Sequence, residues 1–174
     1  KAGVKASIEE AEEYSDVNIN GTTVMLEKAA KHGCKKFIFA SSSSIYGECL
    51  ETPFKEEWKL DEPISQYAAT KKAGEVLAYT YHHLYNIDMV CLRFFTVYGP
   101  LQRPYGMAIQ KFIKQTHHGE RMTIYGDGTM ARDYTYITDI VDGIESSLSV
   151  KGYEILNLGN TDAITLHQLA KKVM

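Results

Sequence analysis

The chain has 174 residues, 44% hydrophobic and 24% charged, enough for a folded domain with a real core and too apolar for a disordered segment. Its formal net charge of -3 carries no run of one sign and offers no basic field for nucleic acid, so an anionic ligand must be gripped by a few placed cations. No apolar run reaches the roughly 18 residues of a membrane helix and no signal-peptide pattern opens the chain, while three scattered cysteines (Cys34, Cys49, Cys91) argue against a disulfide framework or metal site and fit a reducing cytoplasm.

The chain opens Lys1-Ala2-Gly3-Val4 without an initiator Met and closes at Met174 within a helical pattern, so both ends read as cuts through a larger protein. Glu9 to His32 predicts a helix interrupted near Tyr14-Ser15, with Val17, Met25, Leu26, Ala29 and Ala30 on its apolar face and Gly33 as its stop. Lys36 to Ala40 is a short apolar run, a buried strand, ending in Ser41-Ser42-Ser43-Ser44. A loop with Pro53 and Pro63 leads to a long helix from Gln66 to Tyr85, and Asp88 to Phe94 is a second buried strand. Strands alternating with helices imply a parallel sheet covered on both faces, with ligands beyond the carboxyl ends of the strands. The serine run and the stretch after Phe94 sit at such ends.

The later chain predicts a helix from Met107 to His118, a short strand at Thr123-Ile124-Tyr125 before the Gly126-Asp127-Gly128 turn, and an extended Thr135 to Ile137. Asp139 is expected to cap a helix to about Leu148, Tyr153 to Leu158 reads as a strand, and Thr165 starts a last helix.

Tyr67-Ala-Ala-Thr-Lys71 places a tyrosine and a lysine four residues apart at the start of the long helix, on one face. An ammonium near the phenol favours the phenolate, lowers its pKa and makes it a base for a sugar hydroxyl. With 12 tyrosines in the chain, such a pair also arises by chance. The serine run adds hydroxyls able to bond a substrate oxygen, although serines at a strand end also serve as turn formers.

Ala40-Ser-Ser-Ser-Ser-Ile-Tyr-Gly47, Tyr67-x-x-x-Lys71, Leu92-Arg-Phe-Phe-Thr-Val-Tyr-Gly-Pro100 and Arg132-Asp-Tyr-Thr-Tyr-Ile-Thr-Asp139 follow one another in order. Together they resemble the extended short-chain dehydrogenase/reductase family, specifically its NAD-dependent nucleotide-sugar 4-epimerases, over essentially the whole chain. The resemblance implies an α/β fold: part of a Rossmann-type doubly wound parallel sheet with a smaller α+β substrate-binding cap. Residues 1–95 would be the second part of the NAD-binding domain, 96–135 the cap, and 136–174 the return to the sheet and the start of a carboxyl-terminal part. It implies Tyr67 as the base for the sugar 4-hydroxyl, Lys71 on the nicotinamide ribose, and Ser42 completing a triad. Asn18, Ala40, Ser41, Phe94 and Val97 would lie on the NAD side, Ser43 and Ser44 by the sugar. Arg132 would grip the nucleotide pyrophosphate, a task suited to a planar, permanently charged fork; Ile124 and Tyr125 would line the uracil pocket. Read alone, Arg132 would equally be a surface partner of Asp133.

Members of the family that dehydrate or decarboxylate carry an acid where Ser43 and Ser44 stand, so plain epimerisation is implied. Thr96, with Arg103 seven residues on and Met107, Ala108 and Lys111 following, resembles the subgroup acting on UDP-glucuronate, in which Thr and Arg meet the sugar carboxylate. The chain reads Arg103-Pro-Tyr-Gly-Met107 where that subgroup has one residue fewer, which leaves UDP-glucose or its N-acetyl form as alternatives. The family's glycine-rich phosphate loop is absent from these 174 residues, so the bare chain is expected to bind NAD poorly. A catalytically silent scaffold of the same fold is the rival class, and it would be expected to lose Ser42, Tyr67 or Lys71. Relatives pair into homodimers through two helices per subunit, here the Glu9–His32 and Gln66–Tyr85 regions. No metal is implied, and His117-His118 reads as an exposed helix end.

Overall fold

The computed structural model describes residues 1–103 and 107–174. Its elements in chain order are α1 (Val4–Glu9), α2 (Ala11–Ser15), a π-helical turn (Asp16–Asn20), α3 (Gly21–Lys31), β1 (Lys36–Ser42), a 3-10 turn (Ser43–Tyr46), α4 (Gln66–Tyr85), β2 (Asp88–Phe94) and β3 (Thr96–Tyr98). There follow α5 (Ala108–His117), β4 (Ala131–Tyr136), α6 (Ile137–Ser147), β5 (Tyr153–Leu158), β6 (Ala163–Thr165) and α7 (Leu166–Val173). The chain divides into two units: Lys1–Phe94 with Asp142–Leu158, and Phe95–Val141 with Gly159–Met174.

The first unit holds a parallel sheet in the order β1-β2-β5, as the strand–helix alternation predicts. One face carries Phe39, Met89 and Cys91, which pack with Leu26 of α3 and Ala78 of α4 into a dry core. α4 lies close because Gly74 has no side chain: a Cβ there would fall 2.1 Å from the Phe39 ring. Cross-strand register lines up Ser41, Arg93 and Asn157 as one rung and Ser42, Phe94 and Leu158 as the next. The middle rows are largely apolar, and the Ser41, Arg93 and Asn157 rung, one short of the carboxyl edge, is polar throughout.

α3 ends where expected, with Gly33 at φ +67; its N–H donates to the Ala30 carbonyl, and that of Cys34 to Ala29. These two bonds make a Schellman stop, which needs a left-handed residue. The predicted apolar face is only half right. Leu26 and Ala29 are buried, but Val17 and Met25 are exposed, because residues adjacent in a helix point about 100° apart and the π turn shifts the phase between them.

In the second unit β4 pairs in parallel with β3 and antiparallel with β6, over a core of Phe112, Tyr134, Leu169 and Ala170. Thr165 caps α7 reciprocally with Gln168. Three expectations differ from the structure. Thr123 to Tyr125 is not a strand: the Gln115 side chain takes the Thr123 N–H and bonds its hydroxyl, so no strand partner is needed. Asp139 is not a cap, because α6 has already begun at Ile137 directly from β4, leaving Asp139 in the first turn. The 136–174 segment does not return whole: 142–158 rejoins the sheet, while 136–141 and 159–174 pack with the second unit.

Candidate active site

In the first unit, the start of α4 is assembled by side chains from the preceding helices. Ser65 caps it by accepting the Ala68 N–H at 3.1 Å. The Tyr67 N–H, which a first turn leaves without a helical partner, donates to the buried Ser7 hydroxyl at 3.0 Å. Tyr14 meets the Tyr67 ring edge-on at 6.3 Å. Asn18 is buried and donates to the Thr70 hydroxyl at 3.0 Å, one residue before Lys71.

The three expected reacting residues are brought together. Ser42 ends β1 buried, its oxygen accepting the Ser44 N–H at 3.2 Å, which caps the 3-10 turn where Ser43 and Ser44 begin. Lys71 donates to the Ala40 carbonyl at 2.8 Å and lies over the Phe39 and Tyr67 rings, 5.4 and 5.8 Å from their centroids. Burial pushes the Lys71 ammonium below its ordinary pKa. The Tyr67 phenol is raised, not lowered as the spacing suggested: burial dominates, and the Ser42 hydroxyl pulls the other way. The reason is geometric, since the ammonium is turned to the Ala40 carbonyl and the ring face. That carbonyl uses one of its three donors, so two remain for a diol, which fits a nicotinamide ribose.

Beneath Ser42 lies a polar network that sequence reasoning missed. The Ser41 hydroxyl donates to Glu75 Oε1 at 2.7 Å. Arg93 forks onto the same carboxylate, Nε to Oε1 at 2.9 Å and Nη2 to Oε2 at 3.0 Å. Its Nη1 donates to the Tyr46 phenol at 2.9 Å, which donates to Asn157 Oδ1 at 2.8 Å. Tyr46 stacks on Phe54 at 4.3 Å, and both meet Trp58 edge-on. A signal was present: Arg93 is the one cation in an apolar strand, and buried charges come with partners. The expected NAD-side residue Ser41 is thus committed to Glu75, while Phe94 sits half-buried at the end of β2.

The second unit holds the other expected nucleotide and sugar residues, Tyr125, Arg132 and Arg103 exposed and Thr96, Lys111 and Ile124 half-buried. Lys111 donates to the Tyr125 hydroxyl at 3.2 Å and lies 4.3 Å over its ring, while Ile124 packs against the core. Arg132 is exposed on β4, touching only the Met130 sulfur among its described hydrogen bonds. Asp133 points to the other side of the strand and accepts from Thr135 and the Asn160 N–H, so the bland pairing of Arg132 with Asp133 is absent. Thr96 and Val97 lie in β3, where Gln102 donates to the Val97 carbonyl at 3.1 Å. Arg103 is exposed, and no hydrogen bond links it to Thr96 among the described residues. The Tyr105-Gly106 insertion lies outside the described residues. Among the described residues no cluster of His, Cys, Asp or Glu is placed to hold a metal, and no helix is long and apolar enough to cross a membrane.

A parallel α/β sheet that sets Ser, Tyr and Lys at the carboxyl end of a strand and the first turns of the next helix defines the short-chain dehydrogenase/reductase class. Within it, the chain belongs to the NAD dependent epimerase/dehydratase family, whose profile matches residues 1–159. It is 50% identical over 170 residues to UDP-glucuronate 4-epimerase of Thermodesulfobacterium geofontis, covering 97% of this chain and 52% of that protein. UDP-glucose 4-epimerase of Thermotoga maritima, solved with UDP-glucose, superposes with a TM-score of 0.94 at 34% identity, over 99% of this chain and 57% of that one. UDP-glucuronic acid 4-epimerase of Bacillus cereus, in complex with UDP-4-deoxy-4-fluoro-glucuronic acid and NAD, gives 0.81 at 38% identity, over 88% and 50%. The chain thus spans about half the length of the curated relatives it matches.

Proposed function

We propose that this chain is the catalytic part of an NAD-dependent epimerase that inverts C4 of a UDP-sugar, converting UDP-glucuronate to UDP-galacturonate. The observation that carries the reading is the gathering of Ser42, Tyr67 and Lys71 in one unit, with Ser42 acting on the Tyr67 phenol. The chemistry that NAD supplies when bound is reversible hydride exchange at C4, oxidation to a 4-keto sugar and reduction from its other face, with no net change in the cofactor. Tyr67 must first give up the proton that burial holds on it; as the phenolate it then takes the 4-hydroxyl proton in the first half and returns it in the second. Ser42 holds the substrate oxygen against the phenol, and Lys71 bonds the ribose diol. The role proposed for Arg132 is to bind the pyrophosphate, and for Ile124 and Tyr125 to hold the uracil, so that the sugar can turn over while the nucleotide stays fixed. With Ser43 and Ser44 in place of acids, no dehydration or decarboxylation step follows.

The UDP-glucuronate reading is supported by the names of the relatives and by Thr96 and Arg103 as partners for a carboxylate. UDP-glucose is the second reading, supported by the Thermotoga structure and by the longer stretch after Arg103. The test gives the full-length protein NAD and either UDP-glucuronate or UDP-glucose and follows the sugar configuration by NMR. Turnover of UDP-glucuronate alone supports the carboxylate roles, turnover of UDP-glucose alone overturns them, and turnover of neither sugar overturns the proposed reaction.

A homodimer in the cytoplasm completes the proposal. Val24 and Met25 on α3 and Val76 and Tyr79 on α4 are each at least 50% exposed, an apolar strip suited to a second copy. Sedimentation of the protein with Met25→Glu and Val76→Glu should report monomers; an unchanged mass would place any dimer contact elsewhere.

A further inference from the structure

Glu75 and Arg93 form a buried ion pair that no step of the proposed reaction uses. Arg93 is 0% and Glu75 1% exposed. An ion pair taken wholly out of water is a poor source of stability, since matched apolar side chains of the same volume do as well or better. What it supplies is geometry. A forked guanidinium–carboxylate contact has one good arrangement, whereas an apolar contact tolerates sliding. The pair joins α4 to β2, takes in the end of β1 through the Ser41 hydroxyl, and reaches β5 through Tyr46 and Asn157. Ser41 adjoins Ser42, and Glu75 follows Tyr67 and Lys71 at successive four-residue steps along one stripe of α4.

We propose that Glu75 and Arg93 are positioning residues that clamp the carboxyl end of β1 against α4 and so hold the Ser42 hydroxyl in reach of the Tyr67 phenol. The role rests on Ser42 and Tyr67 being the reacting pair. It makes the Ser41 hydroxyl the link between clamp and strand end, and therefore structural in its contact with Glu75.

The experiment is a mutant cycle on the full-length protein labelled with 13Cζ-tyrosine, the Tyr67 signal being assigned with Tyr67→Phe. Ser42→Ala should shift the Tyr67 resonance in the natural background. It should leave that resonance unmoved when Glu75→Leu and Arg93→Met replace the pair, or when Ser41→Ala cuts the link. Glu75→Gln keeps an oxygen for Ser41 and Arg93 Nε but turns an NH2 on Arg93 Nη2, so the response should be retained in weakened form. Ser41→Ala removes one surface-independent hydroxyl and leaves the core intact, so it answers the question even if the apolar pair fails to fold. An equal Ser42→Ala shift in the Ser41→Ala background overturns the clamp. In the full-length enzyme the same substitution should lower kcat about 100-fold at an unchanged KM, the loss expected of an ångström-scale misplacement. A natural protein without epimerase activity counts against the proposed reaction, while the resonance cycle still decides the clamp.

Discussion

The two units differ in how their polar side chains are held. In the first, Ser7, Asn18, Ser41, Ser42, Glu75 and Arg93 are all buried, each with a described bond. In the second, Arg103, Tyr125 and Arg132 stand exposed. Burial of this kind suits the positioning proposed for the first set, and exposure suits the nucleotide grip proposed for the second. A stability assay should therefore feel changes in the first unit, and a binding assay changes in the second.

The largest effect falls on the buried pair. Arg93→Met alone strands the Glu75 carboxylate and should cost about 3–5 kcal/mol in denaturant unfolding, while adding Glu75→Leu should restore most of it. A mild single variant would mean that water reaches the pair, and the contrast between units would weaken. Tyr67→Phe should lower turnover by about 100- to 1000-fold and leave nucleotide affinity and melting nearly unchanged. Activity equal to the natural protein would remove Tyr67 as the base.

Arg132→Ala tests the other side of the contrast. It should weaken UDP binding by about 1.5–3 kcal/mol, the worth of bonds to a charged group, and shift stability by no more than about 0.5 kcal/mol, as expected of an exposed site. A large loss of stability would make Arg132 structural. The smallest effect concerns pH. Tyr67 and Tyr46 have phenols raised above 10.0, chiefly by burial, so each holds its proton better folded than unfolded. Their contribution is complete below pH 10.0 and is lost as pH climbs through the raised values. Lys71, lowered by burial, acts in the opposite sense below 10.5, its unfavourable contribution easing as pH rises. Unfolding curves taken as pH rises past 10.0 should therefore show Tyr67→Phe losing less stability than the natural chain. An identical slope would mean that the phenol is hydrated.

Much of this was legible in sequence where local signals agree. Gln66–Tyr85, Asp88–Phe94 and Tyr153–Leu158 match the expected bounds, because each is a sustained pattern of one period closed by caps or turns. The Tyr67–Lys71 pairing was legible from its spacing at the start of a helix, whereas Ser42 was singled out only by the family resemblance. Thr123–Tyr125 misled because three extended residues make a strand only if a neighbour supplies the ladder, and here Gln115 takes that place. The shared boundary between units was hidden because 159–174 returns to residues far earlier in the chain.

Sequence alone determined the alternation that makes a parallel sheet and the four-residue spacing of Tyr67 and Lys71, because both depend on neighbours a few positions apart. Tertiary structure alone decided the state of those residues. The fall in the Tyr67 pKa that its lysine spacing suggested gives way to a rise, since burial outweighs the Ser42 hydrogen bond while the lysine bonds the Ala40 carbonyl instead. The partners of Arg93 come from positions 46 and 75, brought within 3 Å only when strand and helix pack.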